Sequence, residues 1–313
     1  TAGKAPHAGY LTDDLTDRAV DFIKRRNDDS NPDKKPFFLY LAHFAVHTPF
    51  HAPKGLIPYY ENKPQRGTLG HSNATYAAMV SRLDASIGRI MDTLENLGLD
   101  ENTLIVLTSD NGGTEYTKPA ATDNQPFRGG KATMYEGGVR VPLIVYMPDK
   151  FEGGTWREQV VTSVDHMPTL AALTGNDLPQ GTEGQNFIPA LEDANADMGE
   201  RTLVWHYPYN VIVRHPNHDL PLTPTSGMRK GDYKLIWDWH GKLELYNVVE
   251  DPFENSDLSA EMTQKTDDMF NELHNWLLTN VNPKYMPYRN KDYDESKDER
   301  SYPFKDLSGA LTQ

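Results

Sequence analysis

The sequence contains no cysteine, and this absence excludes several kinds of chemistry. Without a thiol, the 313 residues can form no disulfide, no thiolate metal site and no cysteine nucleophile. No long apolar run of the kind that crosses a membrane is present either. Residues 1–7 are polar and lack the features of a signal peptide, so we expect either a cytosolic chain or one whose start has been removed.

Basic residues are few relative to acidic ones. The chain has 31 Lys and Arg against 45 Asp and Glu, a formal net charge of −14 at pH 7. Binding to a nucleic-acid backbone requires clustered Lys and Arg, so the composition disfavours nucleic acid as a partner. An anionic substrate would have to meet local positive charge, which a metal ion and one or two Lys or His residues can supply inside a cleft.

The order of the predicted elements indicates an α/β fold. Helical spacing of apolar residues predicts helices over residues 11–25, 74–97 and 163–174. Short apolar runs, typical of strands buried on both faces of a parallel sheet, occur at residues 36–42, 104–107 and 141–147. We therefore expect a mostly parallel sheet flanked by helices, with the loops after the first two strands opening at the same edge.

After Gly181 the pattern changes from helical spacing to alternation. Residues 203–207, 227–239 and 242–248 alternate apolar with polar side chains between tight turns, which predicts a smaller antiparallel sheet. A helix over residues 260–278 is expected to pack on that sheet, and the tail from residue 282 to wrap the surface. These patterns predict two domains, residues 1–200 and 201–313.

Polar residues follow two of the predicted strands. Asp110 and Asn111 enter a Gly-Gly turn, and their oxygens are hard ligands that suit Ca²⁺ or Mg²⁺. Lys131, after a second Gly-Gly pair, would neutralise an anion beside that cation. His47 follows the strand at residues 36–42 and would, if protonated, donate a proton to a departing alcohol. The four residues predict a metal-assisted site for an ester of a tetrahedral oxyanion.

Each of these signals also has a purely structural interpretation. Asp, Asn and Gly all favour turns, so Asp110 and Asn111 also suit a tight turn without a metal. A histidine after a strand and a lysine after two glycines are often solvated surface residues. Ser109 lies too close to the proposed ligands to be assigned as a nucleophile, and no Gly-x-Ser-x-Gly motif occurs. The residues alone therefore leave the nucleophile unidentified.

Several motifs, in this order along nearly the whole chain, resemble those of formylglycine-dependent sulfatases of the alkaline phosphatase superfamily. They are residues 9–13 (GYLTD), 36–41 (PFFLYL), 46–49 (VHTP), 109–113 (SDNGG), 130–131 (GK), 135–142 (YEGGVRVP) and 165–170 (DHMPTL). The resemblance implies an alkaline phosphatase-like core. It also implies that Asp110 and Asn111 bind Ca²⁺, with Mg²⁺ as the alternative, and that Lys131 and His47 contact the sulfate and the leaving oxygen.

Other parts of that family's pattern are absent from this sequence. They are a strand with two further metal-binding Asp residues, a Cys- or Ser-x-Pro-Ser-Arg motif whose first residue becomes the formylglycine nucleophile, and a Lys-x-His pair. Asp13 and Asp14 begin a helix and are interpreted as helix-capping residues. Because calcium takes about six to eight ligands, Asp110 and Asn111 alone would bind it weakly. We expect an upstream segment, on the same precursor or on a second chain, to complete the core and supply the nucleophile.

The leading prediction is a sulfuric ester hydrolase that acts on a sulfated saccharide or an aryl sulfate. A phosphomono- or diester hydrolase of the same superfamily is an alternative, because it would use the same ligands and lysine. A non-catalytic homologue that binds sulfated glycans is another. The resemblance further implies a periplasmic or extracellular location.

Substrate selection is assigned by resemblance, since the C-terminal sheet shapes the mouth of the pocket in this family. The candidates are residues 205–209, including His206, and the segment 213–224. Arg128 would hold a second anionic group. In the alternative interpretation, the aromatic residues at positions 205 and 207 are buried strand residues and His206 faces outward.

Overall fold

A computed structural model describes residues 9–28, 30, 35–63, 72–115, 121–209, 211–214, 221–222, 224–239, 241–287 and 292. The chain forms two compact units. The first comprises residues 1–108, 118–122 and 143–153, and the second comprises residues 109–117, 123–142 and 154–313. Each unit consists of three segments, and these segments alternate along the chain. The two domains predicted from the sequence, with a boundary at residue 200, stay a prediction.

The first unit contains three helices, α1 (Leu11–Asn27), α2 (Ile57–Glu61) and α3 (Ala74–Asn96). Helices α1 and α3 pack against each other, and the hydroxyl groups of Thr16 and Ser86 meet at 2.6 Å in this buried contact. Asp13 and Asp14 lie in the first turn of α1, as the sequence predicts. Asp13 accepts two hydrogen bonds from Arg82 at 2.6 and 2.8 Å, so its carboxylate links the two long helices and does not cap a backbone N–H.

A short antiparallel ladder forms the sheet of the first unit. Strand β1 (Ile105–Thr108) pairs with β2 (Leu143–Tyr146), with Ile105 opposite Tyr146. The expected parallel sheet is not confirmed, because the part of the chain that the structure describes contains no parallel strand pair. The predicted strand at residues 36–42 is wrong. Exposure alternates there with the two-residue period of extended chain, but no described segment pairs with it.

Apolar side chains in these segments are exposed, whereas the sequence pattern predicts burial on both faces. The exposed fraction is 73% for Phe38, 82% for Tyr40 and 56% for Ile144. A fully apolar strand is normally covered on both sides, whereas the described residues leave each of these side chains exposed.

The second unit begins with loops and three short helices, α4 (Glu136–Val139), α5 (His166–Thr174) and α6 (Ile188–Glu192). A turn of 3-10 helix at Ser163–Asp165 leads into α5, which ends at Gly175 in the left-handed conformation with φ of 67°. Asp165 is fully buried and accepts two hydrogen bonds from Arg201, at 2.5 and 2.8 Å. This bidentate pair holds the start of α5 on the segment that leads into the C-terminal sheet.

The predicted antiparallel sheet is confirmed. Its strands are β3 (Thr202–Tyr207), then, after the separate pair β4 (Val211–Arg214) and β5 (Pro221–Leu222), β6 (Thr225–Lys230), β7 (Tyr233–Asp238) and β8 (Lys242–Asn247). The spatial order is β3-β6-β7-β8, and every neighbouring pair is antiparallel. Gly231 adopts a φ of 55° in the turn between β6 and β7, as the turn signal at residues 230–232 predicts.

Both faces of this sheet are buried. Helix α7 (Thr263–Asn280) covers one face, where Leu235 and Trp237 pack against Leu273 and Leu277. Trp237 also stacks on Trp239, with ring centroids 3.9 Å apart, so these tryptophans contribute to packing. The other face holds a second cluster, whose members are Met134, Tyr135, Ile236, Tyr246 and Val248. The sheet therefore supports the segment that follows Lys131.

Two further observations concern the helices and the tail. None of the described helices combines the length and apolar character needed to cross a membrane. After α7, a turn of 3-10 helix spans Pro283–Tyr285. The expected wrapping of the tail beyond residue 287 falls outside the described residues, apart from residue 292.

Replacement of Leu273 by alanine should destabilise the second unit. Leu273 is fully buried between α7 and the sheet, so Leu273→Ala leaves a cavity and should lower the free energy of unfolding by about 2–5 kcal/mol. Leu278→Ala is the matched control, because Leu278 lies on the same helix but is 42% exposed. Denaturant unfolding followed by tryptophan fluorescence measures both. Equal losses for the two variants would contradict the packing described for α7.

Candidate active site

Three loops of the second unit contact one another through their backbones. These site loops comprise residues 109–115, 123–131 and 133–139. Gly112 N donates to Gly138 O at 3.0 Å, and Lys131 N donates to Gly113 O at 2.9 Å. Gly137 N donates to Arg128 O at 2.8 Å. The turn with Asp110 and Asn111 is thus tied to the loop that carries Lys131.

Glycine is required where these backbones touch. A Cβ atom at Gly112 would overlap the carbonyl oxygen of Gly137, and one at Gly130 would overlap the carbonyl oxygen of Gly113. The neighbouring atoms are main-chain atoms, which cannot move aside as the end of a flexible side chain can. The glycine pairs recognised in the sequence therefore permit close contact between loops, in addition to forming turns.

Asp110 and Asn111 follow β1 directly and present unused oxygens. The carboxylate of Asp110 is exposed and makes no hydrogen bond or ion pair with a described residue. Asn111 Nδ2 donates to Gly112 O at 3.0 Å, which leaves Oδ1 as the available donor atom for a cation. Within the described ranges no group of three or more His, Cys, Asp or Glu residues is arranged to hold a metal. The two oxygens match a hard cation in kind but are too few to enclose it.

Lys131 is half-buried beside this turn. Its backbone is fixed by the bond to Gly113, while Nζ makes no hydrogen bond or ion pair with the residues described. An unpaired ammonium group that is partly withdrawn from water is suited to bind an anion. The structure thus brings Lys131 and Asn111 into one set of hydrogen-bonded loops.

His47 belongs to the first unit, whereas the other predicted site residues belong to the second. Its backbone N donates to Phe44 O at 2.8 Å, which closes a turn in the loop after residue 42. Its Nδ1 lies 2.8 Å from the carbonyl oxygen of Thr48, so Nδ1 carries a proton and donates it to Thr48. Nε2 makes no contact with a described residue and is the ring atom available for proton transfer.

Arg128 faces the C-terminal sheet. Its Nη1 donates to the hydroxyl of Tyr246 at 2.8 Å and to the carbonyl oxygen of Glu254 at 3.2 Å, and the guanidinium lies 4.2 Å from the centroid of the Tyr135 ring. Burial acts to lower the pKa of Arg128, but interactions with Tyr135, Tyr246 and Glu244 outweigh it and raise the pKa. These contacts give Arg128 an anchoring role, and its predicted binding of a second anionic group stays a prediction.

Both ring nitrogens of His206 are used within the protein. Nε2 donates to the carbonyl oxygen of Tyr285 at 3.0 Å, and Nδ1 accepts from the hydroxyl of Ser226 at 2.8 Å. Burial lowers the pKa of His206, which favours the neutral ring that this pattern requires. Substrate binding by His206 stays a prediction, and it would compete with these bonds.

The other candidates for substrate selection are Trp205, Tyr207 and the segment 213–224. Trp205 and Tyr207 pack against the cluster around Tyr246, in agreement with their alternative interpretation as buried strand residues. The side chains of the segment 213–224 lie largely outside the described residues.

A fully buried lysine joins the site loops to the sheet. Lys234 Nζ on β7 lies 2.8 Å from Glu136 Oε1 and 2.8 Å from Glu254 Oε1. Glu254 Oε2 also accepts from the backbone N of Glu136 at 2.7 Å. Burial raises the pKa of Glu254 to about 7, although the attraction of Lys234 opposes this. This network pairs the buried charges and fixes the start of α4 on the sheet.

Tyr135 adds a further connection to the sheet. Its hydroxyl donates to Glu244 Oε2 at 2.6 Å, and the other oxygen of Glu244 pairs with Lys242. Burial raises the pKa of Tyr135, so the hydroxyl keeps the proton that it donates. This bond and the contacts of Arg128 hold the third site loop against the face of the sheet that is opposite α7.

Sequence reasoning did not identify Glu136, Lys234 or Glu254. Glu136 lies inside the motif at residues 135–142, which supports the family resemblance but assigns no role to this carboxylate. Lys234 alternates with apolar residues and therefore resembles an exposed residue on a sheet with one wet face. A signal for its burial was present in the apolar Ile236, which shares the face of Lys234 two residues later.

Comparison with known proteins agrees with this arrangement. Residues 2–176, more than half of the chain, match the family described as Sulfatase. The chain belongs to the sulfatase family. Residues 129–282 also match the family described as N-sulphoglucosamine sulphohydrolase, C-terminal, which spans Lys131, Glu136 and the sheet.

The relatives are sulfatases from bacteria and mammals. A protein named sulfatase from Formosa agariphila is 34% identical over 90% of this chain and 54% of its own length. The steryl-sulfatase of Rattus norvegicus is 33% identical over 63% of this chain and 32% of its own length. The chain thus spans about half, or less, of the curated sulfatases that it matches.

Solved structures of related proteins share the fold. The crystal structure of Ps i-CgsB matches with a TM-score of 0.74 at 29% identity, over 91% of this chain and 59% of that one. The same protein in complex with k-i-k-neocarrahexaose matches with a TM-score of 0.73 at 28% identity, over the same shares of both chains. This chain therefore shares its fold with a part of these solved structures.

Removal of the buried lysine should be costly. Lys234→Met removes the only cation paired with buried Glu254 among the described residues and leaves Glu136 with just the partly exposed Arg140 at 3.6 Å, so it should lower the free energy of unfolding by about 3–5 kcal/mol. Lys230→Met is the matched control on the neighbouring strand, because Lys230 pairs with Glu272 at the exposed surface and its loss should change stability little. Thermal unfolding of both variants in the complete protein tests this. A Lys234→Met protein as stable as the control would refute the anchoring role.

Proposed function

We propose that this chain forms part of a sulfatase that hydrolyses the sulfate ester of a sulfated saccharide, with an aryl sulfate as the simpler substrate of the same site. One observation carries the proposal: in a member of the sulfatase family, the turn with Asp110 and Asn111 is hydrogen-bonded to the loop with Lys131. The oxygen donors suit a hard cation and the ammonium group suits an anion. With both on hydrogen-bonded loops, an oxyanion such as sulfate could bind the cation through one oxygen and the ammonium group through another.

Each residue has a role that follows from its geometry. Asp110 and Asn111 Oδ1 would hold Ca²⁺, or Mg²⁺ in its place, and when bound this cation supplies Lewis-acid polarisation of the sulfuryl oxygens. Lys131 would bind a second sulfuryl oxygen through Nζ, which the described residues leave unpaired. His47 would protonate the leaving alcohol through Nε2, because Nδ1–H is already engaged in a hydrogen bond to the carbonyl oxygen of Thr48.

We further propose that an upstream segment completes the site. Two oxygens are too few for calcium, so the missing ligands must come from outside the described residues. The exposure of Phe38, Tyr40 and Ile144 supports a covering partner, because apolar residues in runs of this kind are normally buried on both sides. We expect that segment to carry the formylglycine nucleophile and to lie either in the same precursor or on a second chain.

The saccharide substrate class is supported by a structural neighbour. Ps i-CgsB, 28% identical to this chain, was solved in complex with k-i-k-neocarrahexaose. We leave Arg128 and His206 out of the proposed substrate contacts, because the sheet already holds both. A periplasmic or extracellular location, inferred from the resemblance, accords with a polymeric sulfated substrate.

Kinetics of the complete protein test the roles of Lys131 and His47. Lys131→Ala should lower kcat/KM for an aryl sulfate by about 10²–10³, as loss of a transition-state charge contact does. His47→Ala should lower kcat by about 10²–10⁴ for a sulfated sugar but much less for nitrophenyl sulfate, whose leaving group needs no proton.

Two exposed residues provide matched controls. Lys150→Ala and His51→Ala remove the same side chains at exposed positions and should keep full activity. Equal losses for His47→Ala on both substrates would remove it as the general acid. A preference for aryl phosphate over aryl sulfate would favour the phosphoester hydrolase, and saccharide binding without turnover would favour the non-catalytic homologue.

Peptide mapping of the native protein tests the upstream segment. We expect a peptide outside these 313 residues that is about 18 Da lighter than its cysteine-containing sequence, which is the mass signature of formylglycine. A peptide with unmodified serine or cysteine at that position in active protein would contradict the proposed nucleophile. Activity of the 313 residues alone would contradict the need for any upstream segment.

A further inference from the structure

Asn124 connects the Asp110 turn to the Lys131 loop more directly than any other described side chain. Its Oδ1 accepts from Gly113 N at 2.8 Å, and its Nδ2 donates to Gly113 O at 3.0 Å. The amide group thus pairs with both polar groups of one residue, as a neighbouring strand would. Gly113 lies two residues after Asn111, so this pairing fixes the exit of the turn.

A buried carboxylate holds Asn124 in place. Glu115 is 2% exposed, and its Oε1 accepts from the backbone N of Asn124 at 2.7 Å and from Nδ2 at 2.9 Å. Nδ2 therefore has two acceptors and Oδ1 has one donor, which defines a single orientation of the amide. A buried carboxylate that accepts two hydrogen bonds from one residue restricts that residue strongly.

Gly113 also connects this pair to the anion-binding lysine. The carbonyl oxygen of Gly113 accepts from Lys131 N as well as from Asn124 Nδ2. Gly130 fits tightly beside them, because a Cβ atom there would lie 2.6 Å from Asn124 Nδ2. Asn124 therefore contacts both the turn after Asn111, through Gly113, and the backbone next to Lys131, at Gly130.

We propose that Asn124, oriented by Glu115, is a positioning residue that sets the placement of Asn111 Oδ1 relative to the Lys131 ammonium group. The inference rests on the proposed function, because the cation and the sulfate are its ligands. Hydrogen bonds behind metal ligands commonly control affinity by orienting the ligand atoms. Loss of Asn124 should therefore weaken cation binding even though Asp110 and Asn111 are intact.

Calcium titration of the complete protein, freed of metal, tests this inference. By calorimetry, Asn124→Ala should bind Ca²⁺ about 10–100-fold more weakly than the wild type. Glu115→Ala should show a similar loss, because Asn124 is then unsupported. Glu115→Gln keeps an oxygen that accepts both hydrogen bonds and should restore an affinity close to that of the wild type. This rescue would not occur if Glu115 served only as a buried charge.

Controls separate positioning from general instability and from failure of the proposed function. Leu273→Ala destabilises the same unit away from the site and should leave the Ca²⁺ affinity unchanged at a temperature at which it is folded. If Asp110→Ala weakens Ca²⁺ binding and Asn124→Ala does not, this inference is overturned and the proposed function stands. If the wild type binds no Ca²⁺, or Asp110→Ala binds it equally well, both are overturned. Should Asn124→Ala not fold, the comparison of Glu115→Gln with Glu115→Ala decides the question.

Discussion

The buried ammonium group of Lys234 holds the site loops on the C-terminal sheet. Two carboxylates, of Glu136 and Glu254, surround it, and Glu254 also binds the backbone at the start of α4. Burial of three charges is tolerable only when they pair with one another, so this sheet and this loop depend on each other. The C-terminal half of the chain thus supports the candidate site, and a sulfatase that lost the sheet would lose the anchor of the Lys131 loop.

Much of the architecture could be predicted from the sequence because local patterns determine it. Periodicity and turn residues predict helices α1 and α3 and strands β3, β6, β7 and β8. The strand predicted at residues 36–42 does not form within the described residues. Its extended pattern is present, but a strand exists only with a hydrogen-bonding neighbour, and a pattern along one segment carries no information about that neighbour.

The candidate site was predictable in its chemistry and less so in its construction. Asp110 and Asn111 were identified by residue type at the end of a predicted strand, and Lys131 by its position after a glycine pair, and the structure joins the two loops through Gly113. His206 was selected by resemblance and Arg128 by its place before the Lys131 loop, yet both are hydrogen-bonded to the sheet. A charged or imidazole side chain near a site looks alike in sequence whether it faces substrate or protein. Only contacts between distant segments distinguish the two.

The close contacts that Gly112 and Gly130 make with neighbouring backbone limit how the sequence of the site loops can evolve. Gly112 and Gly130 meet the backbone of other loops, so their partners are atoms that every amino acid possesses. Any side chain at Gly112 or Gly130 collides with a main chain, and Gly137, which lies opposite Gly112, is limited in the same way by the carbonyl oxygen of Gly129. We therefore expect the sequence of the site loops to vary around three fixed glycines, Gly112, Gly130 and Gly137. No substitution elsewhere can compensate for the loss of one of them, because a carbonyl oxygen cannot be mutated away.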